Sequence, residues 1–487
     1  MEHKENKRMR VIIIGAGASG IAAALKLDKE RSIEYKILEG SKRVGGRIST
    51  FENKNLLKEG EEDDCLFELG AQWLHGTVGH PLLPFAEEAN LLIGKRSSSA
   101  KNRFSRVNGH EIDDHNLLHR YSSSINRIFS EAQHGVKDIY INQGIKSVEE
   151  YVQVRWKEEE EQRREGETKP DKSEELEKET LEWRSLLECS IAGCDNLNEL
   201  SLPFYKEYRR LEGLDVEIGK GYQSILKVMA NKLCSNAILF DHLVKLIDWS
   251  GGEKEKGLAP VKIICENGQV FEADHVIITV SLGVLKESHQ NLFNPPLPLE
   301  KVDSIQKMGY GTVNKIFLEF GQDVNVRNLG SLQVLSNYFK FETHPLFPRW
   351  VRKIFSFTVV SSNSLLAWLT GDEAKLIESI SDEEIKDSIS TLLSKLYNQH
   401  VPKPQRVIKS LWYGDVLFRG SYSYISVHST PSDISSLSSP ICDLHHVPRV
   451  LFAGEATHHC YFSTTHGAFF FGEREANRLL SILKNHQ

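Results

Sequence analysis

The chain has 487 residues, 40% hydrophobic and 26% charged, an ordinary globular balance with length for two or three domains or one large interleaved pair. Its net charge of −7 speaks against nucleic-acid binding as its main job, and Lys157–Thr180, with eleven acids and six bases, holds −5 of it, so the remaining residues are nearly neutral. Seven scattered cysteines without a CxxC pair fit a reducing compartment better than a disulfide framework.

The polar start MEHKENKRMR runs into Val11–Ile14, an apolar segment too short for a signal-peptide core or a membrane span. The ending SILKNHQ lacks an apolar tail or a peroxisomal SKL-type signal, so a cytoplasmic protein is expected. Val11–Ile14 reads as a buried strand, Ile21–Asp28 as a helix and Tyr35–Leu38 as the next strand, ending at Glu39. The charged segment 157–180 has helical composition with few apolar positions and reads as a solvated insertion or arm. Val261–Cys265 and Gln269–Ala273 flank Glu266-Asn267-Gly268, a hairpin signal because Asn-Gly tolerates positive φ. Val276–Val280 and Val450–Phe452 read as further strands, and Gly467–Leu483 as a closing helix.

Gly15, Gly17 and Gly20 form GxGxxG between the first strand and helix. The first glycine permits the turn, the second lets backbone approach a pyrophosphate, and the third lets helix and strand pack closely. Ala18 and Ser19 lie among these glycines as further cofactor-binding residues, and the helix N-terminus that follows offers free N–H groups and a positive dipole end to phosphate. Glu39 is placed to accept hydrogen bonds from ribose hydroxyls. The motif leaves NAD and FAD undivided. The next residues divide them: Glu39-Gly-Ser-Lys-Arg-Val-Gly-Gly-Arg47 resembles the E-x(3–4)-R-x-G-G-R signature of the flavin amine oxidase superfamily. Arg47 would supply a cationic fork to the pyrophosphate or the flavin edge, though alone it reads equally as a surface arginine.

Further blocks keep the order of the polyamine oxidases, and the chain most resembles their animal branch of spermine and N1-acetylpolyamine oxidases. Gly70-Ala-Gln-Trp-Leu-His-Gly76 resembles that family's G-A-x-W-x-H-G element, placing Gly70, Ala71, Gln72 and Trp73 at the cofactor and His75 near the substrate. Leu243–Ile247 resembles the strand whose Val244 backbone pairs with adenine. Gly311–Phe320 resembles the segment carrying the flavin-site lysine, here Lys315, and Trp412–Tyr424 the segment over the flavin face, with Trp412 and Tyr422 as its aromatics. Phe452–Thr457, with Glu455, and Ser463–Ala468, with Ser463, Thr464 and Thr465, resemble the C-terminal flavin grip.

The resemblance implies a two-domain α/β flavin amine oxidase fold: a Rossmann-like FAD-binding domain from 1–90, 215–300 and 435–487, and a mixed α+β substrate domain from 91–214 and 301–434. It implies that Lys315 holds a water at the flavin, that Trp412 and Tyr422 guide the amine, and that His75 accepts a substrate proton or hydrogen bond. Glu188 matches the acid that meets the polyamine chain and could anchor one ammonium while another nitrogen reacts; a solvated helix acid is the equal alternative. Thr464 stands where plant polyamine oxidases and monoamine oxidases have Tyr, so a two-ring cage is incomplete, and Thr464 or Ser463 would bond substrate or flavin. Ser421 stands where monoamine oxidases carry the flavin-linking cysteine, so FAD should be non-covalent. The expected activity is oxidation of a polyamine by FAD and oxygen, with no nucleic-acid or membrane partner, no metal, and oligomeric state left open. Monoamine oxidase-like, protein-lysine demethylase-like and non-catalytic flavin-binding readings are the alternatives. The chain departs from the animal branch at 325–350.

Overall fold

The computed structural model describes residues 8–53, 66–92, 103–106, 112, 115–166, 174–253, 260–335 and 347–485. Part of the divergent stretch at 325–350, residues 336–346, lies outside the described residues.

Alternating aliphatic residues make Met9–Ile14 and Ile33–Leu38 strands that pair in parallel, Ile13 beside Ile37. Helix Ala18–Leu27 crosses between them and turns Ile21, Ala22, Ala23 and Leu27 inward. The helix starts three residues before its expected position because Ala18 and Ser19, polar or small in sequence, are buried at its N-terminus. The resulting six-stranded sheet runs Ile441–Cys442, Pro448–Phe452, His275–Ile278, Met9–Ile14, Ile33–Leu38, Ile238–Leu239. Its strands are parallel apart from the antiparallel pairing of the edge strand Ile441–Cys442. Segments far apart in the chain thus share one sheet, and the closing helix Thr465–Asn485 packs on the first helix, where a Cβ on Gly472 would lie 2.0 Å from Ser19 O.

A second six-stranded sheet is mainly antiparallel, in the order Arg406–Lys409, Val313–Glu319, Ser364–Thr370, Ser356–Ser361, Leu332–Leu335, Arg103–Arg106. Asp382–Leu396 packs its Ile385, Ile389, Leu392 and Leu393 against this sheet's core.

The expected solvated arm at 157–180 is not one. Its described parts belong to two long helices, Val148–Gly166 and Glu174–Ala192, which pack on His115–His134. Trp156, Leu176, Thr180 and Leu181 are buried there, and so are Glu159, Glu177 and Glu179. Those acids are neutralised by bases: Arg127 lies 2.7 Å from Glu159, Arg106 2.7 Å from Glu179, and Arg163 pairs with Glu177. Two of the three bases lie outside the segment, which is why its local composition suggested solvent.

Candidate active site

A single cavity of about 2020 Å³ runs from the first sheet's helix N-terminus to the second sheet. Every residue singled out from the sequence lines it, except Gly20.

The phosphate end is shaped by backbone. Gly15 has φ +102°, and a Cβ on Gly20 would stand 1.9 Å from Gly15 O, so helix and turn touch there. Gly17 differs: a Cβ on it would meet only Gly45 O at 3.9 Å, leaving its face open to the cavity. Ser19 Oγ is buried with no hydrogen-bond partner among the described residues, beside a helix N-terminus that carries no side-chain cap. A buried hydroxyl and free N–H groups against an open glycine face fit a pyrophosphate. Glu39 Oε2 accepts from Ala16 N (2.7 Å), and Oε1 from Ser41 N (2.8 Å) and Oγ (2.7 Å), which fixes the carboxylate on the cavity wall. Val244 lies further along the same wall.

Arg47 crosses to the C-terminal segments. Its Nη1 donates to Ser421 O (2.7 Å) and Glu455 Oε1 (2.8 Å). Glu455 Oε2 accepts from Ser463 N (2.8 Å) and Ser423 Oγ (2.6 Å), so one carboxylate ties segments 47, 423 and 463 together. Ser463 takes a left-handed φ of +65° and gives its hydroxyl proton to Ser423 O. Thr464 Oγ1 donates to Tyr461 O (2.6 Å) and accepts from Gly467 N (3.0 Å), capping the last helix. Thr465 Oγ1 shares a proton with Tyr222 OH at 2.6 Å. The donor protons of Ser463 and Thr464 are therefore committed to backbone, which leaves these two hydroxyls acceptor capacity only.

Lys315 projects from strand Val313–Glu319 beneath segment 68–72. Its Nζ donates to Glu68 O (2.7 Å), Gly70 O (2.8 Å) and Gln72 Oε1 (3.0 Å), and stands 4.5 Å from the Trp368 ring centre. Burial pushes this ammonium well below the usual lysine range, against the pull of Glu68 and Glu217. Trp368, register partner of Lys315, stacks on Trp73, whose Nε1 donates to Glu217 (3.0 Å). Trp412 donates Nε1 to Leu69 O (3.2 Å), and a Cβ on Gly70 would stand 3.2 Å from its ring. Tyr422 gives its hydroxyl proton to Ser190 O, and burial raises its phenol. Both rings are thus held by their polar ends and line the cavity.

His75 Nδ1 lies 3.2 Å from Asp215 Oδ2, and Asp215 also meets Arg210 (2.8 Å) and Gly76 N (3.1 Å). Although burial raises it, His75 and Arg210 hold the Asp215 carboxyl below its usual range. Glu188 is 1% exposed: Tyr205 OH donates to Oε1, and Arg184 Nη1 lies 2.7 Å from Oε2. It is a paired acid, neither solvated nor bare. Sequence reasoning did not single out Trp368, Glu217, Asp215, Arg184 or Tyr205. Arg184, four residues before Glu188 in a helical stretch, carried a readable signal; the rest are brought in by sheet register and loops.

The fold and this cavity define a protein that holds a dinucleotide cofactor against a parallel sheet. The profile of the family described as flavin containing amine oxidoreductase matches residues 18–480, and the chain belongs to that family. Its cofactor is accordingly FAD, whose pyrophosphate end the Gly17–Ser19 cradle fits. The chain is 32% identical to "Probable polyamine oxidase 5" of Arabidopsis thaliana, over 98% of this chain and 99% of that one. It is 33% identical to the human "Peroxisomal N(1)-acetyl-spermine/spermidine oxidase", over 97% and 95%. Its fold matches a solved wild-type putrescine oxidase bound to putrescine with TM-score 0.69 at 17% identity, covering 97% of this chain and 99% of that one. Among the described residues no helix is long and apolar enough to cross a membrane.

Proposed function

We propose that this enzyme oxidises a polyamine (spermine, spermidine or an N-acetylated form) at a carbon beside a secondary nitrogen to an imine, which water splits to an aldehyde and a shorter amine, the two electrons passing on to oxygen as hydrogen peroxide. Bound FAD supplies the two-electron acceptor that oxygen regenerates. The observation that carries the reading is the continuity of the cavity. The space that begins at Gly17 and Ser19 passes Lys315, Trp412 and Tyr422 and ends among Trp183, Phe204, Glu188 and Asp215. That gives a long aliphatic amine both a reaction wall and a polar end.

The substrate nitrogen must shed its proton before it can release electrons. His75 supports this role: with Nδ1–H directed at Asp215, Nε2 is left as the atom that faces the ammonium proton. Trp412 and Tyr422 present fixed aromatic faces that favour a cationic amine and shape its approach. Lys315 holds the Gly70–Gln72 wall in place, giving its ammonium protons to Glu68 O, Gly70 O and Gln72 Oε1. Ser421 Oγ exchanges hydrogen bonds with Val313 N (2.8 Å) and O (3.0 Å), and a serine forms no thioether, which supports non-covalent FAD.

The same reading assigns 1–90, 215–300 and 435–487 to the cofactor and 91–214 and 301–434 to the substrate. It places the enzyme in the cytoplasm, a placement that recovery of the tagged chain in peroxisomes would refute. The central test measures peroxide release from spermine, N1-acetylspermine, tyramine and a methylated lysine peptide. Peroxide from the polyamines alone is expected; release from tyramine or the peptide, with none from either polyamine, overturns the assignment.

A further inference from the structure

The cavity end formed by helix Glu174–Ala192 carries a charge balance that polyamine oxidation as such does not require. Resting on the polyamine reading above, we propose that Arg184 sets the substrate class by neutralising Glu188, so that the far end of the chamber takes an uncharged, N-acylated polyamine end in place of a free ammonium.

Glu188 Oε1 accepts from the Tyr205 hydroxyl, and Oε2 lies 2.7 Å from Arg184 Nη1, a charge pair at contact distance without hydrogen-bond alignment. Arg184 is itself held from behind: Nε donates to Asn126 Oδ1 (3.0 Å), and its guanidinium lies 4.3 Å from the Phe129 ring centre. Swinging Arg184 aside would leave a buried carboxylate unpaired and strip the guanidinium of these contacts, so the pair stays closed when substrate enters. An arriving ammonium would then meet a neutral ion pair with its cationic half fixed in the wall.

The surrounding lining points the same way. From residue 183 to 206 the cavity is lined by the cations Arg184 and Lys206 and by one carboxylate, Glu188; the next acid in the lining, Asp215, lies at His75. Asp215 is already shared by Arg210 and His75. A second ammonium is therefore disfavoured throughout this end. An amide is not. Phe104, Trp183 and Leu187 offer apolar faces to an acyl methyl. Gln333, also in the lining, accepts Trp183 Nε1 through Oε1 (3.2 Å), which leaves its NH2 to donate to an acyl carbonyl.

The test compares kcat/KM for N1-acetylspermine and spermine in the FAD-loaded wild type, R184M and R184M/E188Q. The wild type should prefer the acetylated substrate by about tenfold or more, and R184M, by baring Glu188, should move the ratio toward spermine by about tenfold. The double variant should lose that gain. A wild type that turns over spermine as well as its acetylated form, or a folded R184M with an unmoved ratio, overturns the proposal. If R184M fails to fold, the wild-type ratio decides alone. Turnover of neither polyamine overturns the functional reading on which the inference rests.

Discussion

Replacing Lys315 with methionine separates a side chain that acts in turnover from one that only fastens the cavity wall. Nζ donates three hydrogen bonds, of 2.7, 2.8 and 3.0 Å, all into segment 68–72. Methionine keeps the length and apolar stem against Trp368 but removes all three donors. Each hydrogen bond to a charged group contributes about 1.5–3 kcal/mol. Against that loss, the variant no longer buries an ammonium, which by itself costs several kcal/mol. The terms largely offset, and a net destabilisation of about 1–3 kcal/mol is expected. Thermal unfolding of the FAD-loaded protein reads this as a fall of a few degrees. Stopped-flow then follows bleaching by spermine under nitrogen and recolouring in oxygen. FAD should remain bound, and at least one phase should slow by about tenfold or more, a change of about 1.4 kcal/mol in the barrier. Lys315→Arg, which keeps the charge, should recover part of the stability but not the rate. Two unchanged half-reactions would remove Lys315 from the mechanism and leave it a structural clamp.

Gly17→Ala should fold normally but bind FAD at least about tenfold more weakly, since its Cβ meets no protein atom nearer than 3.9 Å and intrudes on the cavity; unchanged affinity in a flavin titration would refute the cradle. Gly20→Ala, whose Cβ would lie 1.9 Å from Gly15 O, should instead reduce the yield of folded protein, and a normally stable variant would refute the close packing. Acid precipitation should release all of the flavin, because Ser421 forms no thioether; colour retained on the denatured chain would contradict that. Burial depresses His466 to about 3 and His80 to about 4, so each stays neutral in the fold while the unfolded chain binds a proton below the ordinary value of 6.5. Their contribution is therefore complete above about pH 6.5 and is lost as pH falls toward 4 and 3. His466→Phe should flatten the fall in Tm between pH 7 and 4, and a slope identical to the wild type would exclude His466 as a source.

Much of the cofactor end was legible in the chain because its requirements are local. A strand, a glycine turn and a helix N-terminus follow one another within residues 9–27, and Gly20 answers a contact made five residues away, at Gly15. The hairpin about Gly268 was legible for the same reason, its φ of +83° being what Asn-Gly signals. The substrate end was harder. Glu188 could be found, but its partner Tyr205 comes from beyond the helix, and its ion pair with Arg184 is stabilised by Asn126 and Phe129 on another helix. Glu159 and Glu179 read as solvated for want of Arg127 and Arg106, which lie well upstream.

By itself, the order of the motifs determined the parallel-sheet frame, the cofactor class and the family, since backbone shape and nearest-neighbour sterics act over a few residues. Only the tertiary structure decided which buried charges are compensated. Trp368 faces Lys315 through antiparallel register, and Arg184 closes on Glu188 because helix His115–His134 holds it there. Electrostatic neutrality inside a protein depends on distance in space, and the chain order of its charges leaves that distance open until the sheets and helices have packed.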